Sequence, residues 1–295
     1  MIDHGTTRPH SPQADKQNAD PPDTAWVFGL ARSGTSITAY AIADACNAAV
    51  ADEILGPWDR TGEPYSYPPE QAELVKHFKA SHARLTPHII EQTNALHRRI
   101  AADAGKQRIV SKHPHLRFTP DEFAEHFPAH RGVWILRNPL RRLASIHARG
   151  WTSIIRPNHD LDYIREYAER WLDLPDDRRL IYEDLRRDPQ AFFQRAIAAL
   201  GWLGDDSAPD RAVTYQRSQY HGKSGEREEG RSTKRSLSDT ARVVPEDAVD
   251  LYTRDPFMRD LFTRCGWSLK PSDYLPTLRQ RAARKLRAIR NADST

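Results

Sequence analysis

Short apolar runs alternate with segments of helical periodicity along the middle of the chain. The run AWVFGL (25–30) ends near a glycine, and apolar side chains recur at helical spacing in TSITAYAIADACNAAV (35–50). This pattern predicts a strand, a loop and a helix in that order. Residues 51–70 contain four prolines and two glycines, so we expect them to form mainly loop.

The same alternation continues downstream. Three further strands are predicted, at RIVSK (108–112), GVWILRN (132–138) and RRLIYEDL (178–185). Helical patterns cover about 70–104, 139–150, 160–173 and 189–200. Asn138 and Asp188 stand at helix starts, each followed by a proline, and Gly150 and Gly201 stand at helix ends.

Strands that alternate with helices predict an α/β fold, a three-layer sandwich with a central parallel sheet in the P-loop nucleotide-binding style. Ligands of such sheets bind at the carboxyl ends of the strands. The loops at 29–36, 111–116 and 137–145 should therefore face one crevice. We assign this domain to residues 24–270, with irregular insertions at 51–70 and 215–240.

The ends of the chain differ from its middle. Residues 1–23 are polar and contain prolines, which predicts a disordered leader without a signal peptide. The sequence contains no run of about 18 apolar residues, so no membrane span is predicted. Cys46 and Cys265 lie far apart, and no Cys/His cluster has zinc-site spacing, so we expect no structural metal and a reducing, cytoplasmic location.

Residues 271–295 are predicted to form a basic amphipathic helix. From residue 276 onward they carry six Arg or Lys and one Asp, whereas the whole chain has a net charge of +4. The basic character therefore belongs to this tail, which argues against a general nucleic-acid surface. One interpretation places the tail on an anionic membrane, at the inner face. The other, which we favour slightly, packs it on the domain or on a second copy in a homodimer.

The first candidate site is the loop GLARSGTS, which nearly matches the phosphate-binding pattern GxxxxGK[ST]. Gly29, Gly34 and Ser36 stand at the glycine and hydroxyl positions, whereas Thr35 occupies the place of the lysine. Successive backbone N–H groups that open onto a helix would form a cradle for an anion. Arg32 would supply positive charge from within the loop.

The second candidate site is LRNPLRRLAS, at the end of the third predicted strand. Arg137 ends that strand, and Ser145 follows eight residues later in the next helix. An arginine in this position can bind a phosphate through two hydrogen bonds, and a serine can add a hydroxyl donor.

As a pair, GLARSGTS and LRNPLRRLAS resemble the two cofactor-binding signatures of sulfotransferases that use 3′-phosphoadenosine 5′-phosphosulfate (PAPS). LIYEDLRRDPQAFFQRAIAALGW and GRSTKRSLSD are similar to later segments of that family, so the resemblance covers about residues 25–267. It implies an enzyme that transfers a sulfuryl group from PAPS to an acceptor hydroxyl. The 5′-phosphosulfate would be held by Arg32, Ser33, Gly34, Thr35 and Ser36.

The resemblance also implies the remaining cofactor contacts. Arg137 and Ser145 would bind the 3′-phosphate, and Tyr182 would contact the adenine. Arg231, Lys234 and Arg235 would close over the cofactor. PAPS presents no magnesium-bound triphosphate, so a lysine in the usual place and a metal ion are both unnecessary.

Three residues compete for the role of catalytic base. Glu53 stands twenty residues beyond Ser33, where some carbohydrate-type and protein-tyrosine members place a glutamate. His113 and His115 lie near the position of a Lys-x-His pair in cytosolic members. We favour Glu53, with Lys112 and Arg32 assisting at the transferred group. Because side chains alternate along a strand, only one of the two histidines can face the crevice.

Aromatic residues in the proline-rich segment GPWDRTGEPYSYP favour a carbohydrate or glycolipid acceptor, on which Trp58, Tyr65 and Tyr67 could stack. Two other functions remain as alternatives. A P-loop kinase or NTPase would need a lysine in the loop, where Thr35 stands, and a magnesium-binding acid at a strand end, whereas VSKHP and ILRNP end in no acid. A non-catalytic membrane-associated scaffold would have no use for a second phosphate site.

Overall fold

The computed structural model describes residues 21–52, 87–113, 119–147, 157–218, 244 and 246–275. The sheet in this part of the chain has five strands. They are β1 Asp23–Gly29, β2 Ala49–Asp52, β3 Arg108–His113, β4 Arg131–Leu136 and β5 Arg179–Ile181. All are parallel, in the order β2-β3-β1-β4-β5. The predicted parallel α/β fold is confirmed.

Ten α-helices connect and cover these strands in the described ranges. They are α1 Thr35–Ala45, α2 Pro87–Asp103, α3 Pro120–His126, α4 Pro139–His147, α5 Pro157–Asp173, α6 Tyr182–Arg187, α7 Pro189–Ala199, α8 Ala208–Ser218, α9 Glu246–Arg254 and α10 Pro256–Arg264. Short 3₁₀ helices lie at Asp176–Arg178 and Pro271–Asp273. None of these helices has the length and apolar character needed to cross a bilayer.

Alternate residues of β1 enter two separate cores. Trp26 and Phe28 pack on one face with α5, α9 and α10, whereas Ala25 and Val27 pack on the other with α1, α7 and α8. Because both faces are covered, the central strands β1 and β4 contain continuous apolar runs. The chain leaves β1 toward β2 and β3 on one side and reaches β4 and β5 on the other, so a crevice opens at the carboxyl end of β1.

Two predicted boundaries are wrong. We expected a helix over 35–50, but α1 ends at Ala45, and β2 occupies Ala49–Asp52. Asn47 turns the chain with a left-handed φ of 54°, and the N–H of Ala48 closes the helix end on the carbonyl of Ala43, 2.8 Å away. The strand expected over 178–185 also ends early, because residues from Tyr182 onward form α6.

Several end signals act as predicted. The Asp188 side chain accepts a hydrogen bond from the N–H of Ala191 at the start of α7, and Gly201 ends that helix with a φ of 68°. The short α3 was not predicted, although Thr119 and Glu122 form a reciprocal capping box at its start.

Both expected boundaries of the domain fall within ordered structure. Asp23, the last residue of the expected leader, begins β1 and pairs with Arg108. Tyr274, within the expected tail, is buried against Phe262. Residues 1–20 and the basic tail from 276 to 295 lie outside the described part of the chain.

Candidate functional site

The phosphate-loop candidate connects β1 to α1 at the centre of the sheet. The N–H of Ser33 bonds to the carbonyl of Leu30 at 2.9 Å, and two residues take left-handed conformations, Arg32 with φ 72° and Gly34 with φ 91°. Helix α1 then begins at Thr35 without a side-chain cap. The first N–H groups of a helix have no partner within it, so they are available to an anion in the loop.

Gly34 is required by its surroundings as well as by its conformation. A Cβ atom added there would lie 2.2 Å from Cδ2 of Tyr182, so the tyrosine ring lies directly against the loop. Tyr182, the predicted adenine contact, therefore borders the phosphate-loop candidate from the start of α6.

Arg137 brings the second motif to the same place. It follows β4 and is largely buried, and its Nη1 donates to the carbonyl oxygen of Arg32, 2.6 Å away. The guanidinium carbon lies 4.5 Å from the centre of the Tyr182 ring. Burial lowers the pKa of Arg137, whereas Tyr182 and the Glu183 carboxylate oppose that shift. Burial raises the pKa of Glu183, against the opposing charge of Arg137.

Ser145 lies in α4, and its Oγ accepts a hydrogen bond from Nε of Arg32 at 3.1 Å. The helix starts as predicted, because Asn138 Oδ1 accepts from the N–H of Arg141 at 3.1 Å. Asn138 also donates from Nδ2 to the hydroxyl oxygen of Tyr274, 3.0 Å away. The start of α4 is thereby tied to the end of the described chain.

Lys112 reaches the loop from β3. Its side chain is only 1% exposed, and Nζ donates to Oγ of Ser36 at 3.0 Å. The ammonium group also pairs with Oδ1 of Asp52 at 2.7 Å, and Oδ2 of that carboxylate accepts a hydrogen bond from the Tyr40 hydroxyl at 3.0 Å. Sequence reasoning missed Asp52, because residues 49–52 were assigned partly to a helix and partly to a loop.

His113 follows Lys112 in β3 and is also buried. Because side chains alternate along a strand, it projects to the face opposite Lys112. The structure therefore separates this candidate base from the lysine and from Ser36. Five predicted site residues lie outside the described part of the chain: Glu53, His115, Arg231, Lys234 and Arg235.

A buried network supports the loop from behind. Arg142 donates from Nε to the carbonyl of Ala31 at 2.9 Å and from Nη1 to Oδ1 of Asp160 at 2.6 Å. Oδ2 of Asp160 accepts from the Tyr252 hydroxyl at 2.8 Å, and burial raises the pKa of that hydroxyl. Arg142 belongs to LRNPLRRLAS, but its role could not be predicted, because nothing local marks its partners in α5 and α9.

The fold is a P-loop-like α/β architecture, and the loop, with Thr35 in place of the lysine, forms with the neighbouring arginines a candidate site for two phosphate groups. The described residues contain no group of three or more His, Cys, Asp or Glu side chains placed to hold a metal ion. Side-chain cations do contact the loop: Arg32 belongs to it, and Lys112, Arg137 and Arg142 donate to its residues or to the start of α1.

Solved sulfotransferases are among the structures to which this chain is similar. One from Mycobacterium avium is 13% identical, with a TM-score of 0.44, over 68% of this chain and 69% of its own. A sulfotransferase domain from the curacin biosynthetic pathway is 13% identical, with a TM-score of 0.43, over 85% of this chain and 100% of its own. A mouse sulfotransferase complexed with PAP is 15% identical, with a TM-score of 0.43, over 93% of this chain and 91% of its own. No protein-family model and no curated protein sequence matches the chain.

Proposed function

We propose that this protein is a sulfotransferase that uses PAPS as donor and an acceptor hydroxyl as substrate. The main observation in support of the proposal is that the two candidate phosphate-binding sequences, GLARSGTS and LRNPLRRLAS, contact each other. Arg32 donates to Ser145, and Arg137 donates to the Arg32 carbonyl, so one crevice combines the loop with a second arginine and serine pair. A nucleotide with phosphate groups at both 3′ and 5′ positions needs donors at two separated points.

The residues fit such a ligand in their donor chemistry. The N–H groups of Thr35 and Ser36, with the Arg32 guanidinium, would hold the 5′-phosphosulfate. Arg137 and Ser145 would hold the 3′-phosphate, and Tyr182 would contact the adenine. Arg231, Lys234 and Arg235 complete the proposed set from outside the described residues.

Bound PAPS supplies the sulfuryl group, whose sulfur gains a bond to the acceptor oxygen and loses its bond to the 5′-phosphate oxygen. The chain must take the acceptor proton and stabilise the negative charge left on the phosphate. The loop N–H groups, Arg32 and Lys112 serve the second need. The Lys112 ammonium is already held in place by its contacts with Ser36 and Asp52.

For the proton we propose Glu53, the residue that follows Asp52 in the sequence. The opposite orientation of His113 argues against that alternative, and His115 remains the second choice. We propose a carbohydrate or glycolipid as the acceptor, bound by Trp58, Tyr65 and Tyr67. The six basic residues of 276–295 support contact with an anionic membrane or with a second copy of the chain.

Calorimetric titration tests the proposal directly. The ligands are adenosine 3′,5′-bisphosphate without magnesium, adenosine 5′-monophosphate, and ATP with magnesium. We expect tight binding of the bisphosphate alone, followed by turnover when PAPS is offered with a panel of acceptors. Preferential binding of ATP with magnesium would favour the kinase or NTPase alternative. Binding of none of the three would favour the scaffold.

A further inference from the structure

Asp52 is a carboxylate beside the phosphate-loop candidate, and it has no part in the proposed function so far. It lies at the carboxyl end of β2, beside Lys112 of β3, and its side chain is 18% exposed. One carboxylate oxygen pairs with the Lys112 ammonium and the other accepts from Tyr40. The carboxylate is thus fixed at both ends, and it directs the lysine toward Ser36.

The surroundings of Lys112 explain why a fixed carboxylate is needed there. Two residues of α1 lie next to this pair: Ser36 accepts a hydrogen bond from the Lys112 ammonium, and Tyr40 donates one to the Asp52 carboxylate. On the neighbouring strand β1, Val27 is in register with Lys112. Burial disfavours a charged amine unless an opposite charge lies close to it. The Asp52 carboxylate, 2.7 Å away, is such a charge.

The arrangement also differs from that of P-loop NTPases. There the hydroxyl that follows the loop lysine and an acidic residue hold Mg²⁺ at 2.0–2.1 Å from oxygen. Here Ser36 and Asp52 contact an ammonium nitrogen at hydrogen-bond distances of 3.0 and 2.7 Å. These residues fit a lysine between them and do not fit a shared magnesium ion.

We propose that Asp52 is a positioning residue that keeps Lys112 protonated and directed at the phosphate loop, so that the lysine is the built-in cation of the site. This inference rests on the proposed function, because the charge would act on the 5′-phosphosulfate. Asp52 acts through Lys112, and Tyr40 acts through Asp52.

The test counts the protons taken up when adenosine 3′,5′-bisphosphate binds, by calorimetry at pH 8 in two buffers of different ionisation enthalpy. In Asp52→Asn, burial favours the neutral amine in the empty site, so the anion must recruit a proton to Lys112. We expect uptake to exceed the parent value by a large part of one proton. The excess should disappear in Asp52→Asn combined with Lys112→Met. Tyr40→Phe removes one hydrogen bond to the Asp52 carboxylate, so its proton uptake should exceed the parent value by less. This variant replaces Asp52→Asn in the test if Asp52→Asn does not fold.

Asp44→Asn is the matched control, because Asp44 is exposed on the same helix as Tyr40. It should bind with the parent stoichiometry of protons. Equal uptake in Asp52→Asn, Tyr40→Phe and the parent would overturn the proposal. The proposal would also fail if Asp52→Asn showed parent-like proton uptake while its kcat fell about 10²- to 10⁴-fold. That result would make Asp52 the general base. If the parent itself binds no bisphosphate, the proposed function fails and this inference fails with it.

Discussion

Arg32 and Ser145 are 113 residues apart in the sequence, and a hydrogen bond of 3.1 Å from Nε to Oγ joins them. Arg32 belongs to the loop after β1, and Ser145 belongs to the helix after β4. Because β1 and β4 are parallel neighbours, both connections start at the same edge of the sheet. The two candidate phosphate-binding sequences therefore meet at one place in the fold.

Loss of Arg137 should weaken binding of the bisphosphate selectively. Arg137→Ala removes a charge-assisted contact of about 1.5–3 kcal/mol, which is roughly ten- to over a hundredfold in affinity. Adenosine 5′-monophosphate lacks the 3′-phosphate and should lose much less. Calorimetry with both ligands gives the ratio, which separates a lost 3′-phosphate contact from a general disturbance of the loop. Arg187→Ala removes an exposed arginine of α6 and is the control. Equal affinity in Arg137→Ala and the parent would contradict the 3′-phosphate assignment.

Gly34→Ala should be far more damaging than Gly105→Ala. Both glycines have left-handed backbones, with φ of 91° and 64°. Only at Gly34 would the new methyl group collide with a ring, that of Tyr182, whereas nothing lies within 4 Å of the corresponding atom at Gly105. Conformational strain of about 1–2 kcal/mol applies to both. Urea unfolding should show a larger loss in the free energy of unfolding for Gly34→Ala than for Gly105→Ala. Adding Tyr182→Ala to Gly34→Ala should recover part of that loss. Equal losses at the two positions would show that the ring moves freely.

The sequence predicts four of the five strands because each contains a short apolar run. Strands β1, β3 and β4 are buried on both faces, and β5 contributes Leu180 to the core. It does not predict β2, whose residues AVAD are small, and whose alternate positions are only half-buried at the sheet edge. Helical periodicity simply continued across Asn47, and the left-handed turn there has no strong signal. The missed strand then hid Asp52, because a carboxylate gains meaning only from the strand end on which it stands.

The candidate site also has one part that the sequence predicts and one part that it does not. Arg32, Arg137 and Ser145 could be predicted because their spacing is local to a strand, a loop and a helix. The network behind the loop could not, because Asp160 lies 18 residues from Arg142, and Tyr252 lies 92 residues from Asp160. Only the folded chain brings α5 and α9 to the loop.

Asp160→Asn should destabilise the protein strongly. It leaves the Arg142 guanidinium buried without its carboxylate, and such losses cost about 3–5 kcal/mol. The exposed Asp177→Asn is the control and should leave the urea midpoint unchanged. Replacing the pair by Arg142→Met and Asp160→Leu should recover much of the stability. This double variant should still bind the bisphosphate weakly, because Ala31 has lost its donor. Parent-like affinity would show that the network is structural only.

Glu53→Gln should separate binding from turnover. If Glu53 takes the acceptor proton, the variant should bind the bisphosphate with parent affinity, while kcat falls about 10²- to 10⁴-fold. His113→Gln and His115→Gln are the matched comparisons and should retain more activity. A Glu53→Gln enzyme that turns over at the parent rate would assign the role elsewhere.

Acid should destabilise the protein through two histidines on the α2 side of the sheet, His97, which is buried, and His130, which is half-buried. His97 contacts Oγ of Ser111 through Nε2 at 3.1 Å, and Nδ1 of His130 accepts a hydrogen bond from Nε1 of Trp26 at 3.0 Å. Burial, with the neighbouring His130, lowers the pKa of His97 to about 3. Burial lowers the pKa of His130 to about 4, although Asp23 opposes this shift.

Both pKa values lie below the 6.5 of an ordinary histidine, so between pH 6.5 and about 4 the unfolded chain binds protons that the folded protein does not. The free energy of unfolding should therefore fall as the pH falls through this window, by up to about 1.4 kcal/mol per pH unit for each histidine. His97→Gln with His130→Asn keeps polar partners for Ser111 and Trp26 but does not titrate there. Urea unfolding at several pH values should give the double variant a shallower slope than the parent. Equal slopes would mean that both histidines are protonated in the folded protein.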